Sequence, residues 1–460
     1  MMYIKNLDKL LENTRCSKCR KAREIVLRTL NKALEEANPQ KAVRKSLKKM
    51  GRGVIEVCDK LFSYRKLYVI GFGKASGEMA LAIEEIIGED IDKGIIIVPE
   101  NIAHRYKFKH LKTLASTHPI PSIKSLKAGE EIVNIAQEAG AEDLVLVLIS
   151  GGGSALVEVL RPQITLDDLI ETTKLLLKSG ANIEEVNTVR KHLSLFKGGW
   201  LAKMIYPAKT VSLIISDVVG DPIEFIASGP TAPDTTTFKN ALDILSMYNL
   251  VDKVPRNVLD IIVEGAKGLV EETPKPGDEI FKKVFNFIIA SNKESLEEAK
   301  KYAEKTYGLN ALILTSRIRG EARYVGLVIA SILEEIFKEN IPLKKPALIL
   351  AGGETTVTVV GKGKGGRNQE LVLSAAKTIK GLDGVAFASI GSDGIDGVTD
   401  VAGGIADAHT FEKIREKGLS IDEALKNNDS YSIFSEIEDY VYTGPTGTNV
   451  NDLMAGVVLK

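Results

Sequence analysis

The stretch YVIGFGKASGEMA, residues 68–80, passes from a strand-like pattern through a glycine-rich turn into a helix-like pattern. The apolar run 67–70 meets Gly71 and Gly73, and Lys74 follows before the helical pattern begins. Glycine permits close backbone approach, and the start of a helix presents N–H groups to anions, above all to phosphate. The stretch therefore predicts a strand–turn–helix unit whose turn binds an anion.

The same alternation of strand and helix patterns recurs along the chain. Further short runs rich in Val, Ile and Leu lie at 94–98, 111–115, 144–149 and 211–215. Continuous apolar runs are typical of strands buried on both faces, which predicts an α/β fold with a mainly parallel sheet. After the polar segment 265–282, expected to be a linker, a second series of runs begins at 284–290, 311–315, 347–353 and 385–391.

Length and charge restrict the classes of protein. A chain of 460 residues is expected to form two domains, and its 61 basic and 61 acidic residues leave no basic surplus for nucleic acid. No apolar segment reaches the ~18 residues of a membrane span, and the N-terminal residues lack the apolar core of a signal peptide. These features predict a cytoplasmic protein with neither a nucleic-acid nor a membrane partner; a homodimer is a possible assembly.

Three cysteines are too few for a disulfide framework in a chain of this length. Cys16 and Cys19 have the C-x-x-C spacing, but zinc needs two further ligands and the only other cysteine is Cys58. We therefore expect the pair to be incidental.

A second glycine loop follows the run 144–149. Its residues are Ser150, Gly151, Gly152, Gly153 and Ser154. Each ordered glycine costs roughly 0.5–1 kcal/mol relative to alanine, so three in succession favour a functional loop over a simple turn. Because the carboxyl ends of parallel strands share one edge of the sheet, this loop should face the same crevice as Gly73 and Lys74.

A dinucleotide site is the alternative interpretation of the first loop. GFGKASG has the pattern G-x-G-x-x-x-G, one residue longer than the fingerprint, and Glu100 follows Gly71 by 29 residues rather than about 20. Lys74 favours a phosphate ligand over a redox cofactor. An NAD(P)H-dependent reductase nevertheless stays open at this point.

Basic and acidic side chains near these loops could complete a site. Arg190, in a helix-like stretch with Lys191 and His192, could hold a substrate carboxylate with its planar fork. Asp217 and Asp393 each follow an apolar run and could hold Mg²⁺, which needs few protein ligands. Asp217 is equally a candidate base for a substrate hydroxyl.

The second half of the chain offers a further anion-seeking loop and a polar turn. The loop 352–366 is rich in glycine and lysine and opens a helix pattern, and the turn 443–451 is rich in small hydroxyl and amide side chains. The candidate residues in these two segments, and at the start of the helix pattern that follows the loop, are Glu354, Arg367, Asn368, Thr443, Thr446 and Asn449.

Several blocks together resemble the glycerate 2-kinases that carry a C-terminal MOFRL domain. The blocks are GFGKASGEMA (71–80), LISGGGSALV (148–157), NTVRKHLSLFKGGWLA (187–202), SDVVGDPIEFIASGPTAPD (216–234), GGETTVTVVGKGKGGRNQEL (352–371), SIGSDGIDGVTDVAGGIAD (389–407) and TGPTGTNVNDL (443–453). They occur in family order and span most of the chain.

The resemblance implies a fold and a reaction. It implies an N-terminal Rossmann-like three-layer α/β sandwich, residues 1–275, and a smaller C-terminal α/β (MOFRL) domain, residues 282–460, whose last strand could return to the first domain. The active site would lie in the interdomain cleft. The reaction would be ATP-dependent phosphorylation of D-glycerate to 2-phosphoglycerate with Mg²⁺ or another divalent cation, with Lys74 and Arg367 as the most important residues. Some members carry a hydroxypyruvate reductase label, which matches the alternative above.

Overall fold

The structure, a computed structural model, describes residues 2–460 and contains two compact units. One unit is Pro39–Ile289, and the other combines the residues up to Asn38 with Ala290–Lys460. This division differs from the expected one at both ends. The N-terminal helices belong to the C-terminal unit, and the chain enters that unit at Ala290 rather than in the polar segment 265–282.

The N-terminal segment forms helices α1 (Leu7–Glu12) and α2 (Ser17–Glu36). The side chains of Leu27, Leu30 and Ala33 are fully buried in a core that they share with strand residues such as Leu348 and Ala455. Burying a leucine side chain stabilises a fold by about 1.5–3 kcal/mol. This apolar face explains why α2 packs with the C-terminal sheet.

The unit Pro39–Ile289 begins with a small antiparallel sheet that the sequence did not predict. The helical spacing of Ile25, Leu27, Leu30 and Ala33 predicts helix over residues 20–50, but the chain turns into strands after Ser46. The first elements are α3 (Pro39–Ser46), β1 (Leu47–Gly51), β2 (Val54–Val57) and β3 (Lys60–Ser63).

The main sheet of this unit has six strands in the order β6-β5-β4-β7-β8-β9. In chain order the elements are β4 (Leu67–Phe72), α4 (Ser76–Ile87), β5 (Ile91–Pro99), α5 (Glu100–Ala103), β6 (Lys112–Ser116), α6 (Ile123–Glu138), β7 (Leu144–Ile149), α7 (Gly153–Leu156), α8 (Leu166–Lys178), α9 (Ile183–Leu193), α10 (Trp200–Ile205), β8 (Lys209–Ile215), α11 (Phe238–Met247), α12 (Arg256–Ala266) and β9 (Val284–Ala290). Strands β4 to β8 pair in parallel, which confirms the predicted parallel sheet.

Strand β9 was expected to open the second domain, but it lies at the edge of this first sheet. The run VFNFIIA is therefore a strand, as predicted, with a different partner. Phe285 lies against Phe62 of β3 with ring centroids 5.1 Å apart, so aromatic packing helps to hold β9 in this unit.

The second unit contains a six-stranded sheet in the order β10-β11-β15-β12-β13-β14. In chain order its remaining elements are α13 (Asn292–Tyr307), β10 (Asn310–Ile318), α14 (Ala322–Glu339), β11 (Ala347–Gly353), α15 (Arg367–Ala375), β12 (Val385–Gly391), β13 (Gly403–Asp407), α16 (Thr410–Glu416), α17 (Ile421–Lys426), α18 (Ser430–Glu436), β14 (Tyr440–Val441) and β15 (Asp452–Val458). Only β10 and β11 pair in parallel; the other neighbours are antiparallel.

Strand β15 stays within this unit and occupies the middle of its sheet. It pairs with β11 on one side and with β12 on the other, and all seven of its residues are buried. The open question of which domain takes the last strand is thus answered in favour of the C-terminal unit.

Two buried ion pairs join α2 to the end of β13 and to the residue before β14. Arg23 donates from Nε to Asp407 Oδ2 at 2.6 Å and from Nη1 and Nη2 to Asp439 at 2.5 and 2.9 Å. All three side chains are inaccessible to solvent. Both carboxylates together satisfy the guanidinium, which is the condition for a stable buried charge.

Across the described residues, no helix combines the length and the apolar character needed to cross a bilayer.

Candidate functional site

The two glycine loops of the first unit are hydrogen-bonded to each other. The amide of Lys74 donates to the carbonyl of Gly151 at 2.9 Å, and the amide of Ala75 donates to Ser150 Oγ at 3.0 Å. Strands β4 and β7 are parallel neighbours, so both loops leave the same edge of the sheet. The expected meeting of the two loops at one edge is therefore what the structure shows.

Asp217 lies directly against the second loop, which leaves no room for a side chain at Gly151. A Cβ atom at Gly151 would overlap Oδ2 of Asp217. Asp217 follows β8, the parallel neighbour of β7, and is half-buried. A carboxylate therefore lies next to the backbone of the second loop.

Lys74 shares its surroundings with His118, which the sequence analysis did not identify. A Cβ at Gly152 would lie 2.9 Å from the His118 ring and 3.3 Å from Cγ of Lys74. Partial removal of the ring from water and, to a smaller extent, the charge of Lys74 lower the pKa of His118 to about 4. The neutral imidazole is therefore the form present near neutral pH.

Arg190 supports the second glycine loop from α9. Its Nη2 donates to the carbonyl of Ser154 at 3.0 Å, while its buried Nε has no hydrogen-bond partner among residues 2–460. Burial lowers the pKa of Arg190. The hydroxyl of Ser154 lies 2.8 Å from that of Ser228, so both ends of the serine are fixed. Arg190 consequently retains one donor that a carboxylate ligand could accept.

The other basic residues of this stretch do not form a solvated face, although such a face is the usual interpretation of the pattern. Lys197 is paired with the buried Glu158, and Lys191 Nζ lies 3.2 Å from Asp234 Oδ1. His192 Nε2 lies 2.9 Å from Glu272. Lys191 and Lys197 are thus paired with fully buried carboxylates, so Arg190 is the permanently charged residue of this stretch that has a donor left for a ligand.

In the second unit, Arg367 is fixed by the carboxylate of Asp452. Nε donates to Oδ2 at 2.7 Å and Nη2 donates to Oδ1 at 3.0 Å, and Nη1 lies 3.4 Å from Oε1 of the exposed Glu354. Asp452 is fully buried, whereas 30% of the Arg367 side chain remains accessible. The neighbouring carboxylates raise the pKa of Arg367. One edge of the positively charged Arg367 guanidinium group is therefore accessible to solvent.

Asn368 is buried and has a different position from the one expected for a ligand-binding residue. Its amide group donates to Asp396 at 3.1 Å and to Asp452 at 2.9 Å, and accepts from Ser389 Oγ at 2.5 Å. Asp396 also accepts the backbone amides of Asn368 and Gln369, at 3.0 and 2.9 Å. Asp396 therefore caps the start of α15, and Asn368 positions Asp452 rather than reaching outward.

The polar turn 443–451 lies beside the end of β12. Thr446 donates through Oγ1 to the carbonyl of Ser392 at 2.5 Å and through its amide to the carbonyl of Asp393 at 3.2 Å. Asn449 accepts from the amide of Asn451 and from Ser392 Oγ. Thr443 is buried and donates to the carbonyl of Gly444 at 2.7 Å. The turn is thus held against the loop that carries Asp393, with Thr446 and Asn449 half-buried.

Two carboxylates have chemistry that suits Mg²⁺. Asp217 and Asp393 are both half-buried at strand ends, and Oδ1 of Asp393 also accepts the amide of Ile395 at 3.1 Å. Among residues 2–460, no three Asp or Glu side chains lie close enough together to bind a metal ion by themselves. Mg²⁺ usually binds through one or two carboxylates together with substrate phosphates, so either residue fits as a partial site.

The residues that sequence reasoning missed lie at other strand ends. His118 follows β6 and would have been found by applying the strand-end argument to every strand of the sheet. Asp452 opens β15, directly after the turn, and its pairing with a residue 85 positions earlier leaves no signal in the sequence. Glu100, the acidic residue of the alternative dinucleotide interpretation, begins α5 and pairs with Lys124.

Comparisons with known proteins match both halves of the chain. Residues 25–263 match the family model described as Domain of unknown function (DUF4147), and residues 347–452 match the MOFRL family. A glycerate 2-kinase from Pyrococcus horikoshii is 46% identical over 95% of this chain and 97% of its own. A protein from Agrobacterium vitis named putative hydroxypyruvate reductase is 39% identical over 94% of each chain.

A solved structure agrees in fold as well. The crystal structure of a glycerate kinase from Thermotoga maritima superposes with a TM-score of 0.84 at 38% identity. The alignment covers 98% of this chain and 100% of that chain. The similarity therefore extends across both units and not over a single motif.

Proposed function

The chain belongs to the glycerate kinase family that combines a DUF4147 domain with a MOFRL domain, and on this premise we propose that it phosphorylates D-glycerate. It transfers the γ-phosphoryl group of ATP to the 2-hydroxyl and releases 2-phosphoglycerate and ADP. The observation that carries this conclusion is the near-complete coverage of a glycerate 2-kinase at 46% identity. The fold and the two glycine loops agree with it.

Lys74 acts on the phosphate groups of ATP. It is half-buried beside the hydrogen-bonded glycine loops, where water screens its charge less than at an open surface. Phosphoryl transfer depends mainly on positioning and on neutralising charge. Side chains at Gly73 and Gly151 would collide with Ser150 and Asp217, so glycine at these positions lets the two loops and Asp217 pack together. Backbone N–H groups of Gly73 and of the loop Ser150–Ser154 are proposed as further donors to the same ligand.

Arg190 orients the carboxylate of glycerate. Its free Nε is the donor for that contact, while Nη2 keeps the loop in place. A fixed carboxylate directs the adjacent 2-hydroxyl, rather than the 3-hydroxyl, toward the phosphoryl group. The geometry of this contact is thus the proposed origin of the choice of hydroxyl.

Arg367 supplies the second positive charge to the transferred phosphoryl group. Asp452 preorganises it, and Asn368 supports Asp452 from within the core. The polar residues Glu354, Thr443, Thr446 and Asn449 are proposed to line the binding surface of this unit, with Thr446 and Asn449 as hydrogen-bonding groups.

Asp217 or Asp393 holds the divalent cation, for which Mg²⁺ is proposed. When bound, the cation neutralises negative charge on the ATP phosphates. Asp217 has a second proposed role, as acceptor of the proton from the 2-hydroxyl. Replacing each residue by asparagine separates these roles, since the loss of a cation ligand raises the Mg²⁺ concentration required for activity, whereas the loss of a base lowers turnover at saturating Mg²⁺.

A product-specific assay tests the function. Purified protein is incubated with ATP, Mg²⁺ and D-glycerate, and the product is passed directly to enolase, which accepts 2-phosphoglycerate but not 3-phosphoglycerate. We expect ATP-dependent formation of phosphoenolpyruvate. A parallel reaction with hydroxypyruvate and NADH or NADPH examines the reductase activity in the name of the Agrobacterium relative; nucleotide oxidation there, with no enolase signal, would overturn the proposal.

A cytoplasmic location and a homodimeric assembly remain proposals. Light scattering coupled to size-exclusion chromatography would give the assembly, and fractionation of the native host would give the compartment.

A further inference from the structure

Four metal-ligating side chains from three separate segments meet in the second unit. They are Cys16, Cys19, Asp383 and His409, and one ligand atom from each lies within 4.8 Å of the others. None of them belongs to the residues proposed for phosphoryl transfer. The two ligands that C-x-x-C lacks in the sequence are therefore supplied by the fold.

The N-terminal part of α2 places the two cysteines. Cys16 is the N-cap residue of α2, and its Sγ accepts the amide of Cys19 at 3.0 Å. Cys19 is completely buried. An N–H donor at the start of a helix stabilises negative charge, so this position suits thiolate ligands.

The other two side chains come from turns at the ends of β12 and β13. Asp383 lies two residues before β12, and His409 lies two residues after β13 as the N-cap of α16. The buried Nε2 of His409 has no hydrogen-bond partner among residues 2–460 and lies 3.1 Å from Oδ1 of Asp383. A buried imidazole nitrogen that faces two sulfurs and a carboxylate is placed as a metal ligand would be.

The chemistry of this set selects zinc. Two thiolates, one imidazole and one carboxylate make up a four-ligand set, and ligand bonds of 2.0–2.3 Å in a tetrahedron separate neighbouring ligand atoms by about 3.3–3.8 Å. In the structure Nε2 of His409 and Oδ1 of Asp383 are 3.1 Å apart, the two sulfurs are bonded to each other, and all four ligand atoms lie within 4.8 Å. Once the disulfide is reduced, side-chain rotations can bring the four atoms to tetrahedral separations. Hard cations such as Mg²⁺ prefer oxygen ligands and do not match it.

We propose that Cys16, Cys19, His409 and Asp383 form a structural zinc site in the reduced protein. In the structure the two cysteines are joined by a disulfide, which has no thiolate to offer. A phosphine reduces the S–S bond to two thiols and is itself oxidised to the phosphine oxide, with water supplying the oxygen atom and the two protons. Zn²⁺ then displaces the two thiol protons and bonds to both sulfurs.

The site would tie the beginning of α2 to the turns beside β12 and β13. These segments are far apart in the chain and are otherwise joined nearby by the Arg23 ion pairs. Because metal binding at a site absent from the unfolded chain adds to folding free energy, zinc would stabilise the second unit. This inference does not depend on the proposed kinase reaction.

The test uses the full-length protein after reduction with a phosphine and removal of bound metal. Zinc is added back, excess is removed, and bound metal is measured by mass spectrometry. Cobalt replaces zinc in a second set, since thiolate-to-cobalt charge-transfer bands and d–d bands report the ligands and their geometry. The variants are Cys16→Ser/Cys19→Ser, His409→Gln and, as the matched control, Cys58→Ser, whose cysteine is exposed and outside the cluster.

We expect about one zinc per chain in the wild type and in Cys58→Ser, and background levels in the double variant. His409→Gln should weaken binding by at least about tenfold and alter the d–d bands without removing the thiolate band. Circular dichroism and thermal unfolding establish that each variant is folded. Zinc binding by the reduced wild type no greater than by the double variant, or equal loss in Cys58→Ser, would overturn the proposal.

Discussion

The guanidinium of Arg367 and the carboxylate of Asp452 form two parallel hydrogen bonds, of 2.7 and 3.0 Å, although 85 residues separate them in the chain. The pairing follows from the sheet. Asp452 opens β15 opposite Gly353 of β11 and Gly391 of β12, next to the first turn of α15. The carboxylate that positions the arginine therefore belongs to a fully buried strand in the middle of the sheet.

Arg367→Ala should reduce turnover by on the order of 10³-fold, or ~4 kcal/mol of transition-state stabilisation, because it removes the positive charge that we propose acts on the phosphoryl group. Steady-state kinetics with ATP and D-glycerate measure this effect. Arg15→Ala is the matched control, since that arginine forms an exposed pair with Glu416 in the same unit. Turnover within tenfold of wild type in folded Arg367→Ala protein would exclude Arg367 from the chemistry.

Gly151→Ala should abolish most activity while leaving the sheet intact. The added methyl group would overlap Oδ2 of Asp217, so either the carboxylate or the loop must move. Gly51→Ala is the control in the same unit, because a Cβ there meets no atom within 4 Å. Activity assays and thermal unfolding of both variants give the comparison; equal activity in the two would show that the close approach of Gly151 and Asp217 is not required.

ATP binding should raise the pKa of His118 from about 4. The nearby positive charge of Lys74 contributes to the low value, and phosphate groups bound at Lys74 would offset that charge. NMR titration of the histidine ring signals, with and without a non-hydrolysable ATP analogue, measures the change, and His118→Gln assigns the signal. The signals of exposed His104 serve as control, and an unchanged His118 titration would place the phosphates elsewhere.

Asp396 should make the unfolding free energy depend on pH. Burial raises its pKa to about 6 from the ordinary value of 3.8, so between these values the native state holds a proton that the unfolded chain has released. Stability from this group is therefore present at low pH and is lost as the pH rises through about 6, by about 3 kcal/mol in total.

Denaturant unfolding of the wild type and of Asp396→Asn between pH 4 and pH 7 checks this prediction. As the pH rises, the unfolding free energy of the wild type should fall relative to that of Asp396→Asn. Asp400→Asn, at an exposed position in the same loop, should show the wild-type dependence. Parallel curves for the wild type and Asp396→Asn would show that Asp396 has the same pKa in the folded and unfolded states.

Arg23→Ala should destabilise the protein by about 3–5 kcal/mol, because it leaves the buried carboxylates of Asp407 and Asp439 without their partner. Arg15→Ala breaks only an exposed pair and should cost about 0–1 kcal/mol. Equilibrium unfolding measures both. A small effect of Arg23→Ala would mean that Lys413, whose Nζ lies 3.3 Å from Asp439, compensates the charge.

The sequence predicted local structure well where the signal was local. The strand runs at 67–70, 144–149, 347–353 and 385–391 are strands, and the glycine turns follow them as expected. The partners of those strands were harder to predict. The run 284–290 joins the first sheet, and the mostly antiparallel second sheet reads much like a parallel one, because both have strands buried on each face.

The residues of the candidate site were also predictable where the signal was local and not where it depended on distant contacts. Lys74, Asp217 and the Ser150–Ser154 loop were identified from their position after buried strands, a property that depends on neighbouring residues. Asp452 and the pairing of Asp383 with His409 depend on contacts between distant segments, for which one sequence holds no information. The expectation that Cys16 and Cys19 are incidental was drawn for the same reason.

The central place of β15 has a consequence for biosynthesis. On the ribosome, Pro39–Ile289 can collapse onto its own sheet as soon as it has emerged, whereas α1 and α2, translated first, share their core with α13 and with strands that are made only after Ala290. The nascent chain therefore carries an exposed apolar helix through most of its translation, and a premature stop shortly before Asp452 would leave β11 and β12 with bare edges suited to aggregation.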